Sequence, residues 1–166
     1  MNAQEASFVA QQHLSREGHL LDTLQWDAWL ALYREDCIYW VPAWLDEDTL
    51  TNDVRRQVSL VWHTRRDELL DRVVRIRSRK SVTAMPLPRT AHATSNLLVQ
   101  SAEPGRISGA ASFTVHEHHP RQRRTDVLFG RYEFELAQDG QGWRYARKKT
   151  VLLNDLIPTL VDFYNI

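Results

Sequence analysis

The chain has 166 residues, enough for one domain with one core, and its 43% hydrophobic and 25% charged composition is that of an ordinary globular protein. Lys+Arg and Asp+Glu both number 21, so no net field draws the chain to nucleic acid or to an anionic membrane, and neither is expected as a partner. No stretch approaches the ~18 consecutive apolar residues of a spanning helix, and the N-terminus lacks a basic-then-apolar leader, so a cytoplasmic protein is expected. The single cysteine, Cys37, excludes an intrachain disulfide and any multi-thiolate zinc or iron–sulfur site within this chain.

The first third reads as helical. Phe8, Gln12 and the stretch to Leu20, Leu21 and Leu24 predict one amphipathic helix, and Trp26, Trp29, Leu30 and Tyr33 fall at i, i+3, i+4, i+7 for a second. After Asp36 the period changes to two. The strand this predicts, 37–42, is apolar on both faces, with Cys37, Tyr39 and Val41 on one side and Ile38, Trp40 and Pro42 on the other. A second layer, a ligand or another chain must cover the outer side. Residues 45–56 are polar and read as a loop, followed by a short apolar piece at 58–62.

"RRDELLDRVVRIRSRK" predicts a third helix with Leu69, Leu70, Val73 and Ile76 on its apolar stripe, and with Glu68/Arg72 and Asp71/Arg75 paired on the solvent side. Pro86 and Pro88 forbid its continuation. Four β-rich runs complete the chain, at 91–100, 106–118, 125–137 and 142–154, separated by turn signals. Phe113 and Val115, and Tyr132, Phe134 and Leu136, alternate with polar residues as in an antiparallel meander packed on one face. Helices first and a curved, mostly antiparallel sheet after them predict a single α+β domain over 1–166. By analogy of architecture this is the cone-shaped nuclear-transport-factor-2-like (NTF2-like), cystatin-like fold, shared with ketosteroid isomerases, in which the sheet wraps the helices.

Candidate chemistry is sparse. His116 and His118 of "HEHH" share a strand face, but a metal site needs further ligands, and the run reads as a solvated hairpin end before Pro120. His13 and His19, six apart on a helix, point in different directions, and His63 and His92 read as hydrogen-bonded structural residues. The basic runs 77–80 and 121–124 read as a helix C-terminus and a hairpin tip. An enzyme of this fold would need a buried carboxylate base, for which Asp27 and Asp36 are the acids near the aromatic layer; Asp27 reads as exposed and Asp36 as a turn residue. Cys37 reads as a buried, inert thiol. No catalytic, cofactor-binding or metal-binding residue is therefore assigned in this chain.

The order of segments carries more. "LLDTLQWDAWLALYREDCIYWVPAW", "SLVWHTRRDELLDRVVRI", "PRTAHATSN" and "KKTVLLND" followed by "IP" resemble the small (β) subunit of bacterial aromatic-ring-hydroxylating dioxygenases, and "WLALYREDCIYWVPAW" with "RTAHATSN" is most similar to the benzoate/toluate/anthranilate branch. The resemblance implies a structural, non-catalytic subunit held with a large (α) subunit and other β subunits in a hetero-hexamer of three of each. It also implies that the large subunit carries a Rieske iron–sulfur centre (2Fe–2S) and a mononuclear Fe(II). A reductase would deliver electrons from NADH, and O2 would convert an aromatic carboxylate to a cis-dihydrodiol. The apolar C-terminal residues Leu160, Phe163, Tyr164 and Ile166 then dock either in the chain's own sheet or on a partner. The alternatives are a stand-alone isomerase or dehydratase working through a pocket carboxylate such as Asp36, and a small-molecule binding module.

Overall fold

The computed structural model describes residues 1–79, 85–154, 156–157 and 160–166; the end of the basic run at Lys80 and part of the C-terminal segment lie outside them. Helix α1 (Ala3–Asp22) starts with a reciprocal cap. Asn2 accepts from the Glu5 amide at 2.8 Å and Glu5 accepts from the Asn2 amide at 2.9 Å, satisfying two amides that have no partner within the helix. Its buried stripe runs through Ala10, Leu14, Leu20 and Leu21, whereas Phe8 points to solvent. Helix α2 (Trp26–Leu30) is shorter than the spacing predicts. Tyr33 already opens strand β1 (Tyr33–Pro42), because it pairs with Tyr145 of the last strand and its hydroxyl is bonded in the core.

Strand β1 pairs antiparallel with β2 (Ser59–His63) and parallel with β6 (Gly142–Leu152). Strands β3 (Arg89–Glu103), β4 (Arg106–His119), β5 (Arg124–Asp139) and β6 form the antiparallel meander, and the six strands lie in the order β2-β1-β6-β5-β4-β3. Phe113 and Val115 of β4 and Tyr132, Phe134 and Leu136 of β5 all face inward, as their alternation predicts. At Gly130 a Cβ would sit 1.9 Å from the Val151 carbonyl oxygen, so only glycine allows the two strands to approach there. The helices lie in the hollow of this sheet.

Helix α3 (Arg66–Arg77) buries Leu69, Val73 and Ile76 but leaves Leu70 exposed. The expected solvent-side pairs are replaced. Arg72 and Arg75 both bind Asp162, at 2.9 and 2.6 Å, and Glu68 turns back to accept the Thr64 and Arg65 amides. A fully buried carboxylate costs several kcal/mol without cations, whereas an exposed helical pair gains only about 0.3–0.5 kcal/mol, so the arginines go to Asp162.

Strand β1 is covered on both faces by the chain itself. Tyr39 and Val41 point into the core, while on the outside Trp62 stands edge-on to Trp40 with ring centroids 5.7 Å apart, and Lys149 Nζ lies 5.1 Å from the Trp40 ring. The C-terminal residues likewise dock on their own chain. The 3-10 turn Phe163–Asn165 stacks Phe163 on Trp29 at 4.8 Å, and Asn165 donates to Glu117 Oε1 at 2.7 Å, while Leu160 stays exposed.

Candidate functional site

The centre of the cone holds an ion pair. Glu17 enters from α1 and Lys148 from β6, with Nζ donating to Oε1 at 2.9 Å and both side chains almost wholly buried. The same oxygen accepts from Tyr33 Oη at 2.5 Å and from Trp29 Nε1 at 3.3 Å, and Oε2 accepts from Tyr145 Oη at 2.8 Å. The Tyr132 ring lies 4.0 Å from Nζ, and His13 meets the Tyr145 ring edge-on at 4.5 Å.

A bulge builds this arrangement. Where Glu135 pairs with Arg147, the next residue, Leu136, pairs with Tyr145, so Ala146 is left over and Tyr145 and Lys148 both face inward. In an unbroken strand, residues three apart would face opposite ways.

Burial pushes the Glu17 carboxyl up, but Lys148 and the hydrogen bonds from Tyr33, Lys148 and Tyr145 outweigh it and hold the group below its usual range. Burial lowers Lys148, and Glu17 opposes that shift. Burial drives His13 down to about 4, so its imidazole is neutral near pH 7. Burial, reinforced by Glu17, raises Tyr33 and Tyr145 well above the ordinary phenol value, which keeps both as donors. A general base must reach a substrate proton with a free lone pair. Here the carboxylate is saturated by four donors and sealed from solvent, so its chemistry is to tie α1 to α2, β1 and β6.

The acids and histidines singled out in the sequence do not gather there. Asp36 is exposed and paired with Arg34 at 2.9 Å, on the outward register of β1, so it cannot be the base of an apolar pocket. Asp27 is exposed, as expected, and bound to Arg77 at 2.7 Å. Strand alternation splits "HEHH": His116 is exposed, and His118 Nδ1 meets Thr125 Oγ1 at 3.0 Å. Glu117 is wholly buried rather than solvated, with His119 Nε2 4.0 Å away and 3.3 Å from Asp126. Burial pushes Glu117 up to about 7, against the Asn165 hydrogen bond. His92 binds Asp22 at 2.6 Å and His63 accepts from Arg72 at 2.8 Å, both structural as expected. Burial drives the Cys37 thiol up to about 12, which makes it unreactive.

Sequence reasoning missed Glu17 and Lys148. Glu17 had a signal: it lies on the apolar stripe of α1, three residues after Leu14 and three before Leu20. Lys148 had none, because it is one of three successive cations and the bulge breaks the alternation.

Helices packed in the hollow of a curved sheet, around a sealed polar centre, define a nuclear-transport-factor-2-like domain. Residues 16–159 match the family of ring-hydroxylating β subunits. Over 167 aligned positions the chain is 36% identical to the 2-halobenzoate 1,2-dioxygenase small subunit of Burkholderia cepacia, covering 100% of both chains. The crystal structure of the benzoate 1,2-dioxygenase β subunit from Burkholderia mallei has a TM-score of 0.79 and 30% identity, with 95% of each chain covered. A chain of naphthalene 1,2-dioxygenase gives the same TM-score, 0.79, at 14% identity, covering 100% of this chain and 88% of that one, and shows the fold alone. The chain belongs to the ring-hydroxylating β-subunit family, the small subunits of aromatic-ring-hydroxylating dioxygenases.

Proposed function

We propose that this chain is the structural, non-catalytic small subunit of a cytoplasmic dioxygenase acting on a benzoate-type aromatic carboxylate, built as one domain over residues 1–166. The observation that carries the reading is the full-length likeness to a halobenzoate dioxygenase small subunit, at 36% identity, in a chain whose central carboxylate is saturated by its own donors. In this reading a large subunit binds the substrate and O2, a reductase brings electrons from NADH, and three large and three small subunits assemble together.

The iron groups of that assembly do not fit this chain. A Rieske centre needs two thiolates beside two imidazoles, and the one cysteine is buried with its proton held firmly. Among the described residues no three of His, Cys, Asp or Glu are placed to hold a metal ion. Among them, too, no helix is long and apolar enough to cross a membrane.

Co-expression with a large subunit of the same organism, recognised by C-x-H…C-x-x-H spacing, tests the proposal. A brown complex that oxidises an aromatic acid is expected, with colourless protein when this chain is made alone. Stoichiometric iron and oxidation of an aromatic acid by the lone chain would overturn it, as would monomers that ignore the large subunit.

A further inference from the structure

The C-terminal turn is held at its two ends by different chemistry. At Asp162 the buried carboxylate has two guanidinium groups, Arg72 at 2.9 Å and Arg75 at 2.6 Å, so its charge is matched. At Asn165 the partner is Glu117 of β4, which is wholly buried and unmatched. Asn165 Nδ2 donates to Glu117 Oε1 at 2.7 Å and to the Leu160 carbonyl at 2.9 Å, while Glu117 Oε2 is sealed from solvent and makes no hydrogen bond among the described residues.

Strand register makes this a poor place for a negative charge. Glu117 lies directly across the antiparallel pair from Asp126 of β5, so two carboxylates are opposed on the same side of the sheet. The nearby cations serve Asp126 first: Arg124 reaches it at 2.9 Å, and His119 Nε2 stands 3.3 Å from Asp126 but 4.0 Å from Glu117. On β3 the residue opposite Glu117 is Thr90, whose hydroxyl is committed to Asp22 of α1 at 2.9 Å. From the turn itself comes Tyr164, whose phenol burial raises and keeps neutral. A neutral acid suits this setting and a carboxylate does not.

We propose that Glu117 is a pH-operated latch on the C-terminal turn: while protonated it holds Asn165 and keeps Tyr164–Ile166 docked, and when it ionises the turn lifts and lets water reach it. The turn is the part that gives way, because β4 is hydrogen-bonded to β3 on one side and β5 on the other, whereas the turn is three residues long and reaches Glu117 through one side chain. The carboxyl titrates near 7 when docked and at the ordinary 4.5 once wetted, so the docked state binds the proton more tightly. Docking is firmest below pH 4.5, weakens as pH rises, and levels off above 7. Between pH 6 and 8 the opening equilibrium of the turn increases about tenfold.

Amide hydrogen exchange of the full-length chain between pH 6 and 8 tests the latch. The rates at Tyr164–Ile166 are referred at each pH to Glu117→Gln, which puts an amide in place of the protonated acid and cancels the intrinsic pH dependence of exchange. Circular dichroism and melting temperature establish that each variant is folded. The ratio of wild-type to variant exchange is expected to rise about tenfold over this range, while the amides of Phe113–Val115 in β4 stay equally protected in both. Asp126→Asn, which removes the opposed charge, is expected to shrink the rise, and its comparison with wild type tests the latch independently. A flat ratio would overturn the proposal, as would β4 amides that open with the same pH dependence as the turn, or a rise that Asp126→Asn leaves undiminished.

Discussion

At Glu17 one carboxylate gathers an ammonium, two phenols and an indole, and the cost of losing any donor depends on which charge is stranded. Lys148→Met leaves the carboxylate buried without its cation, which should cost about 3–5 kcal/mol. At this chain length that lowers the melting temperature by about 10 °C, read by calorimetry. Adding Glu17→Gln should restore much of the loss, because no charge then remains in the core. Glu117 gives a pH signature of its own. Its carboxyl titrates near 7 in the folded chain against 4.5 when unfolded, so the folded state holds an extra proton between those values. The associated stability is fully present below pH 4.5 and is lost as pH rises through 7, to the extent of roughly 3 kcal/mol. Glu117→Gln should therefore melt higher than wild type at pH 8, with the gap closing near pH 5.

The C-terminal turn shows how an element of three residues can be held firmly. Asp162 caps it by accepting the Phe163 amide at 2.9 Å and also takes two arginines from α3, while Phe163 lies flat against Trp29. Phe163→Ala should cost about 3–5 kcal/mol and shift tryptophan emission to longer wavelength as water reaches Trp26 and Trp29. Asp162→Asn should loosen the same turn by removing the charge that holds it to Arg72 and Arg75 of α3, visible as faster amide exchange at Phe163–Asn165. The apolar character of this turn is legible in Phe163 and Tyr164, but its anchors are not. Arg72 and Arg75 obey the helical spacing rule for Glu68 and Asp71, and only the distant Asp162 redirects them. The α2–β1 boundary was hidden for a similar reason: Tyr33 fits the helical period, yet its partners are Tyr145 and Glu17, each over ten residues away.

Across the whole molecule, order and alternation sufficed to read the α+β cone, because each meander strand shows its inner face through every second residue. The covering of Trp40 was not readable, since Trp62, Arg147 and Lys149 meet it only after β1 is flanked by β2 and β6. Equal numbers of acids and bases leave the isolated chain without net repulsion near neutral pH. Light scattering by the chain alone should accordingly be greatest near pH 7 and fall towards pH 9. The parallel pairing of β1 with β6 has a consequence for biosynthesis. Strand β1 emerges from the ribosome early and waits for a neighbour that is translated roughly a hundred residues later, some 5–20 s at bacterial elongation rates of about 5–20 residues per second. For that interval β2 can close one edge of the strand, but the other edge and the oily residues beside it stay open on the nascent polypeptide until β6 arrives.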